Sequence, residues 1–555
     1  MKIKSFNIVF VSALIWGVVG CSEDLLDEKP PHLITTESLY VNLAGFESGL
    51  NGLYALVRQE REGRSGGNSL RTDMFMTGTD NIVPNHSGNF SQVAERWNTH
   101  NTPFDAEISG NFEWLYQIVN AANTIINQAE ERSDVDWSGG SATDEENKNR
   151  VVAEAKALRA WAYRHLTYGW GDVPLSLEES LGSSLKTDWE RTPVAKVREQ
   201  MEEDWLFAEQ HLDVEPKVRG KISKGAVQHY LAELYLAMDK PDLALEWADK
   251  CINTPEYKLI TERYGVRSGE DGVPFMDMFY DGNSNREEGN TEALWVWQWE
   301  FETIGGGGSI MRRWQTTRYE TINVGGVRPL QYTLERGGRG IGRIAPTKWA
   351  IDLYEDGDDR GSHFAIRKFF VLKDAAENAP AEADRLPPGM NYGDTIKLNW
   401  DNDITATNRG RLDWPFSRKF DSTPITNLQH NYHFNDQVYL RLGETYLIKA
   451  EAEFRLGFND AAAETINVLR RRANASEVTG ADIDLDFILD ERSRELLFEE
   501  HRRHTLVRTG KWLERVKLYN HNGGQVATQR DALFPIPQSV IDANLTKVMP
   551  QNPDY

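Results

Sequence analysis

Two cysteines in 555 residues, Cys21 and Cys251, are too few for a disulfide framework. A chain of this length needs none, because it can bury a core of ordinary proportions. Positive charge is also scarce: 62 Lys and Arg stand against 85 Asp and Glu, a formal net charge of −23. Such a field repels phosphate backbones and anionic lipid surfaces, and no basic run interleaved with aromatics offsets it, so nucleic acid is excluded as the natural partner. Long apolar runs are missing from the body of the chain. The glycine run Gly305 to Gly308 continues as Ser309-Ile310 and not as Gly-Lys-Ser/Thr, so there is no phosphate cradle. His501-Arg502-Arg503-His504 lacks the four-residue histidine spacing with an intervening Glu that a zinc-protease helix uses. What the chain has in quantity is aromatic residues, 17 Trp, 19 Tyr and 22 Phe within a 40% hydrophobic composition, enough to rule out disorder as the dominant state.

The N-terminus reads as a secretory signal peptide, residues 1–20. Lys2 and Lys4 precede an apolar stretch from Phe6 to Val19, broken only by Asn7, Ser12 and Gly17. That stretch is shorter than the ~20 residues of a membrane-spanning helix. Val18-Val19-Gly20-Cys21 resembles a bacterial lipoprotein cleavage box, in which Cys21 becomes the acylated first residue of the mature chain. Ser22-Glu23-Asp24 then resembles the acidic tag that sends some lipoproteins to the outer face of the outer membrane.

Helical periodicity dominates both ends of the body and fails between them. Val151, Ala155, Leu158, Ala162 and Leu166 recur at three- and four-residue steps, which predicts a helix over 151–168 closed by Gly169 and Gly171. A second amphipathic stretch, 223–238, turns at Asp239 to Asp242 and continues to Cys251, with Tyr235, Ala244 and Ala248 at tetratricopeptide offsets and Pro255 near the repeat end. A third pair is expected from Tyr439 to Leu456 and from Ala461 to Arg472. From about 262 to 435 the pattern gives way to a loop-rich segment, heavy in Gly, Trp and Arg, with one clear strand from Ala293 to Phe301. The expected fold is therefore mostly α: a scaffold of tetratricopeptide-like helix hairpins over about 21–261 and 436–555, interrupted by an insertion carrying a few short strands. Residues 21–555 are read as a single domain.

Four blocks carry a family resemblance. They are Ala153 to Ala160 continuing through Gly171-Asp172-Val173-Pro174; Tyr439-Leu440-Arg441-Leu442-Gly443-Glu444-Thr445-Tyr446 onward to Ala452; Ile488 to Arg492 through Glu499; and Phe534-Pro535-Ile536-Pro537 with the closing Gln551-Asn552-Pro553-Asp554-Tyr555. With the lipoprotein start, they resemble the SusD/RagB family of nutrient-binding outer-membrane lipoproteins, in that family's order. The resemblance implies a SusD-like domain of about eight helices in tetratricopeptide-like hairpins. It also implies a non-enzymatic role: binding a glycan or other nutrient at the cell surface and passing it to a SusC-like TonB-dependent transporter, with no cofactor.

Candidate binding residues come from two loops. Trp314 and Tyr319 lie with Arg312, Arg313 and Arg318 in a stretch without apolar periodicity, where a flat ring beside guanidinium donors suits a sugar. The loop from Asp73 to Trp97 adds Asp73, Asp80, Asn81 and Trp97, in the region from which the resembled family builds its ligand surface together with the segment after the strand. On the strand, Trp295, Trp297, Trp299 and Phe301 share one face, and the first two are expected to be core. Asp281-Gly282-Asn283-Ser284-Asn285 with Glu292 approaches a calcium loop, but Arg286 stands where such a loop needs Gly, so a turn is expected and no metal is assigned. Two other classes stay open: a secreted glycoside hydrolase, for which no carboxylate pair can be named, and a tetratricopeptide scaffold that binds protein, to which an insertion of this size is superfluous.

Overall fold

The computed structural model describes residues 35–64, 69–180 and 186–555. Cys21 and its lipidation therefore lie outside the described residues. Numbering the longer helices in chain order, α1 is Leu43–Arg58, α2 Ala106–Glu131, α3 Asp144–Trp170, α4 Val194–His211, α5 Lys224–Ala237 and α6 Pro241–Ile252. After the insertion come α7 Leu442–Arg455, α8 Asn459–Arg472, α9 Leu485–Leu496, α10 Arg502–Arg508 and α11 Trp512–Tyr519. The fold is mostly α, as expected, with short strands and no barrel among the described residues. No helix among the described residues is long and apolar enough to cross a membrane.

The centre of the scaffold is α3. Thr143 and Glu146 close a reciprocal capping box at its start, Asp144 to Glu146 complement the helix dipole, and Gly171 at φ 74° ends it in a conformation that costs glycine little. From Val151 to Trp170 nearly every side chain is buried, because α3 packs against α1, α2 and α4 at once. The second hairpin is α5 and α6: Ser223 caps α5 by accepting the Ala226 N–H at 3.1 Å, and Pro241 opens α6 in the first turn, where its missing N–H is not needed. α6 also packs on α7, joining the two halves of the scaffold.

Several boundaries differ from the sequence reading: the strand expected from Ala293 to Phe301 ends at Trp297, and the helix expected over 151–168 runs from Asp144 to Trp170, with Gly169 inside it. Tyr439, Leu440 and Arg441 belong to a strand, β4 (Gln437–Arg441), and the helix begins only at Leu442. A short buried apolar run reads alike as strand or helix. Here its antiparallel partner β2 (Ala293–Trp297) decides, in the register Ala293 opposite Arg441 and Trp297 opposite Gln437. A second ribbon ties the N-terminal part to the insertion: β1 (Ile82–Pro84) pairs antiparallel with β3 (Ile344–Pro346).

The charges of α7 pair only in part along the helix, Glu451 with Arg455 and Lys449 with Glu453 at four-residue steps, and the rest reach other elements. Glu451 receives Arg508 and Arg455, Glu444 receives Arg492 at 2.6 Å, and Arg441 spans Glu292, Glu495 and Glu499 at 2.8, 2.6 and 2.6 Å. The Arg441 set is almost fully buried, so breaking it leaves uncompensated interior charge, at a cost of about 3–5 kcal/mol. The segments that carry the family resemblance are thus the interior ionic frame of the scaffold.

Candidate functional site

Seven of the eight predicted binding residues are buried, and the structure divides them into three groups. Asp80 is enclosed by two guanidiniums: its carboxylate accepts from Arg502 at 2.8 and 2.7 Å and from Arg515 at 2.7 Å. Burial alone would raise its pKa, but Arg502 and Arg515 outweigh burial and hold it below the usual carboxylate range. Asn81 donates to Ser493 at 3.2 Å, and Trp97 is wedged edge-to-face against Trp512 at 5.4 Å with Arg503 above its ring. These three hold the C-terminal helices in place and present nothing to a ligand. Tyr319 donates its hydroxyl to the Gly338 carbonyl at 2.8 Å and packs on Phe370 inside the insertion. Its neighbour Arg318 is the exposed member of the set, 3.8 Å from Glu320.

The third group converges. Trp314 lies under the Arg343 guanidinium, 5.3 Å from its ring, and is only 1% exposed, so it is a floor and not a platform. Main-chain bonds from Ile341 to Arg313 and from Arg343 to Trp314, 2.8 Å each, lay the two segments side by side. Asp73 faces the same place: burial, then Glu107, push its carboxyl up to about 7, against the Thr77 hydroxyl and Arg343. Arg313 is 8% exposed; burial and the charges of Arg339 and Arg343 hold its guanidinium below its ordinary value.

Exposed aromatic surface lies beside this group, on residues not selected from sequence. Around the Ser309–His433 bridge the chain is extended, so His433 points inward while Tyr432 and Phe434 stand half-buried on the other face. Phe301 joins them with its ring 4.8 Å from Phe434 and 5.8 Å from His430, and His430 lies 5.2 Å from Phe434 and 6.0 Å from Tyr432. The row runs from Tyr432, next to the His430 carbonyl that accepts from Arg312 at 2.7 Å, to an open cleft of about 400 Å³ lined by Trp299, Phe301, Phe434, Asn435, Asp281 and Asp436. Glycine makes the approach possible: a Cβ on Gly308 would sit 2.8 Å from the Phe434 ring and 3.0 Å from Tyr432 Cβ.

At the cleft, Asp436 accepts from the Trp299 amide at 3.0 Å and from Asn285 at 2.7 Å, so it is fixed in place. Two further polar atoms of the lining residues, Trp299 Nε1 and Asn435 Oδ1, are buried without a hydrogen-bond partner among the described residues. Such atoms cost about 1–3 kcal/mol each until something satisfies them. The aromatic row escaped the sequence reading although its signal is present: Tyr432 and Phe434 alternate with Asn431, His433 and Asn435, a period of two at the end of the insertion.

The calcium-like stretch folds as a turn. Asn283 donates to the Asp277 carbonyl at 2.9 Å and accepts from the Val266 amide at 2.9 Å, while Glu292 is held by Arg441 and Arg472. One group among the described residues could hold a metal: His501 and His504 are joined by His165 from α3, with ligand nitrogens all within 4.8 Å. His165 Nδ1 and His504 Nε2 bond each other at 2.9 Å, and their outer nitrogens lack the carboxylate or carbonyl acceptors that orient metal-bound imidazoles. Arg164 meanwhile bonds the His501 Nδ1 at 3.1 Å. With Phe75 against all three rings, the group packs as an aromatic core.

Comparison with known proteins follows the same lines. Residues 291–555 match the family described as the SusD family, and residues 24–236 match a second described as starch-binding associating with outer membrane. SusD-like protein P25 of Formosa agariphila is 25% identical over 540 residues, covering 93% of this chain and 92% of that one. The starch-binding protein SusD of Bacteroides thetaiotaomicron is 36% identical over 139 residues, 24% of each chain. Surface glycan-binding protein A from Bacteroides thetaiotaomicron, solved in complex with laminarihexaose, shares the fold with a TM-score of 0.66 at 17% identity, over 92% of this chain and 99% of that one.

Proposed function

From its membership of the SusD/RagB family, we propose that this chain is a cell-surface glycan-binding lipoprotein that captures oligosaccharide and delivers it to a SusC-like TonB-dependent transporter in the outer membrane. The observation that carries the reading is the surface row of Phe301, His430, Tyr432 and Phe434 ending in the cleft beside Trp299. A pyranose presents a flat C–H face and a rim of hydroxyls. The row offers rings to the face, and the cleft offers the Asp281 carboxylate and the Asn435 amide to the rim. Two similar proteins point the same way: a relative is named for starch binding, and a structural neighbour is solved with laminarihexaose. We assign no catalysis to the cleft; Asp436, held by Trp299 and Asn285, positions it.

Calorimetric titration of candidate oligosaccharides into the wild type and into Phe434→Ala tests the reading. Losing one stacking ring should weaken binding by about 1–3 kcal/mol, on the scale of aromatic–base stacking. Undiminished affinity in both Phe434→Ala and Phe301→Ala would move the site elsewhere, and release of reducing ends during incubation would revive the hydrolase alternative. Lipidation at Cys21 is tested by Cys21→Ala, which should release the protein from the membrane fraction; stable anchoring needs more than one acyl chain. A durable transporter complex buries more than about 1,200 Å², so purification in mild detergent should recover both proteins together.

A further inference from the structure

The cleft at the end of the aromatic row carries charge of one sign. Asp281, Glu300 and Asp436 line it, and among the described residues no Lys, Arg or His does. Asp281 and Glu300 are exposed, and neither is ion-paired within the described residues. Asp436 is bonded by the Trp299 amide at 3.0 Å and by Asn285 at 2.7 Å, neutral donors that fix the carboxylate without cancelling its charge. Arg58 lies over the Trp299 ring at 5.3 Å, but it donates to the carbonyls of Gln298 and Gly305 and does not reach the cleft lining. Partial burial, then the charges of Glu288 and Glu300, pushes the Asp281 carboxyl above its ordinary value, so the cleft already disfavours further negative charge.

Hydrogen-bond chemistry sharpens the point. An ionised carboxylate only accepts, whereas a hydroxyl both donates and accepts. A sugar hydroxyl can therefore donate to Asp281 or Glu300 in a charge-assisted bond and accept from the hydroxyls of Ser422, Thr423 and Thr426, which line the same cleft. A sugar carboxylate or sulfate ester can do only the second, and it meets three carboxylates that are acceptors themselves. The two buried atoms of the lining that lack a partner among the described residues repeat the pattern: Trp299 Nε1 needs an acceptor and Asn435 Oδ1 needs a donor. Only a group that does both can serve both.

We propose that the cleft is a charge filter: the sugar it seats presents hydroxyls and carries no carboxylate or sulfate, and Asp281, Glu300 and Asp436 turn anionic glycans away. This rests on the glycan-binding reading of the same surface and adds the charge class of the ligand. Stacking along the row is indifferent to charge, so discrimination comes from the cleft.

The test is calorimetric titration of the full chain in mild detergent with probes of similar length. Laminarihexaose, maltohexaose and a mannohexaose are the neutral arm; an oligouronate and a sulfated oligosaccharide are the anionic arm. The best neutral probe should bind at least about tenfold more tightly than either anionic one, a modest like-charge penalty. That margin should shrink as sodium chloride is raised from about 50 to about 500 mM, a measurement on the wild type alone. Asp281→Asn combined with Glu300→Gln, exposed changes whose folding a thermal melt checks, should narrow the margin from both sides. The anionic probes gain affinity as repulsion is removed, and the neutral ones lose charge-assisted bonds. An anionic probe that binds the wild type as tightly as the best neutral one overturns the filter while leaving glycan capture standing. So does a neutral preference that persists both at high salt and in the double variant, since it would then come from stereochemistry. Failure of every probe to bind overturns the glycan reading itself, and this assignment with it.

Discussion

Replacing Asp80 by asparagine should destabilise the protein without touching its ligand surface. The carboxylate is fully buried and bonded by Arg502 through both oxygens and by Arg515 through one. Removing one member of a buried ion pair costs about 3–5 kcal/mol, because the remaining charge stays in the interior uncompensated. Both arginines keep some compensation: Arg502 retains Glu500 at 2.9 Å, and Arg515 retains Asp486 at 2.9 Å and Asp490 at 2.5 Å. The expected loss for Asp80→Asn therefore lies at the lower end, about 3 kcal/mol. A chain of this size exchanges roughly 1 kcal/mol per degree at its midpoint, so Tm should fall by roughly 2–3 °C, with a matching shift in the urea midpoint at unchanged slope. The loss has a pH signature. Because the folded-state pKa of Asp80 is depressed, its contribution is complete above the unfolded carboxylate value near ~4 and disappears as pH falls through the folded one. The wild type and Asp80→Asn should thus differ at pH 7 and converge in acid. An Asp80→Asn protein that melts like the wild type at pH 7 yet loses affinity for an oligosaccharide would refute the reasoning and return Asp80 to the binding surface.

The other expectations are briefer. Trp97→Ala and Trp314→Ala should each cost about 3–5 kcal/mol of folding free energy through cavity formation, read from urea unfolding; a neutral effect on stability would show that the rings are not core. Burial, then neighbouring positive charge, holds His165 and His504 well below the ordinary histidine value. Their neutral forms are the ones that fit the fold, so stability should decline as pH drops below ~6.5, the unfolded histidine value. His504→Phe, which keeps the packing against Phe75 and His165, should flatten that decline in melts run between pH 7 and 5. Gly308→Val should weaken oligosaccharide binding, because its Cβ would press on Phe434 and Tyr432; calorimetry at matched folded fraction reads the effect.

The scaffold was legible because its signals are local. A period of 3.6 over 151–168, the Ser223 cap and Pro241 at the first position of α6 are written within a few residues of the structure they cause. The lengths of helices came out short at α3, whose start is fixed by the Thr143 capping box and not by apolar periodicity. The β4 boundary at Arg441 was hidden for the opposite reason: its pairing partner is nearly 150 positions away, and an apolar run of that length carries no period of its own.

The binding residues show where locality fails. Asp80 looks like a polar loop residue until Arg502 and Arg515 arrive from 422 and 435 positions downstream, and Trp97 looks like a platform until Trp512 covers its face. In a loop without periodicity, a polar or aromatic side chain is equally suited to clasp the far end of the chain or to meet a ligand; only the location of the partner tells them apart. The converse holds for Tyr432 and Phe434. They carry an alternating pattern that usually reports a half-buried strand, and it did so here, with His433 inward and the two rings outward beside Phe301. A ring is left at the surface by the same alternation that buries its neighbour. In this chain the period-two stretch that ends the insertion leaves two rings at the surface, whereas the aperiodic loops bury Trp97 and Trp314.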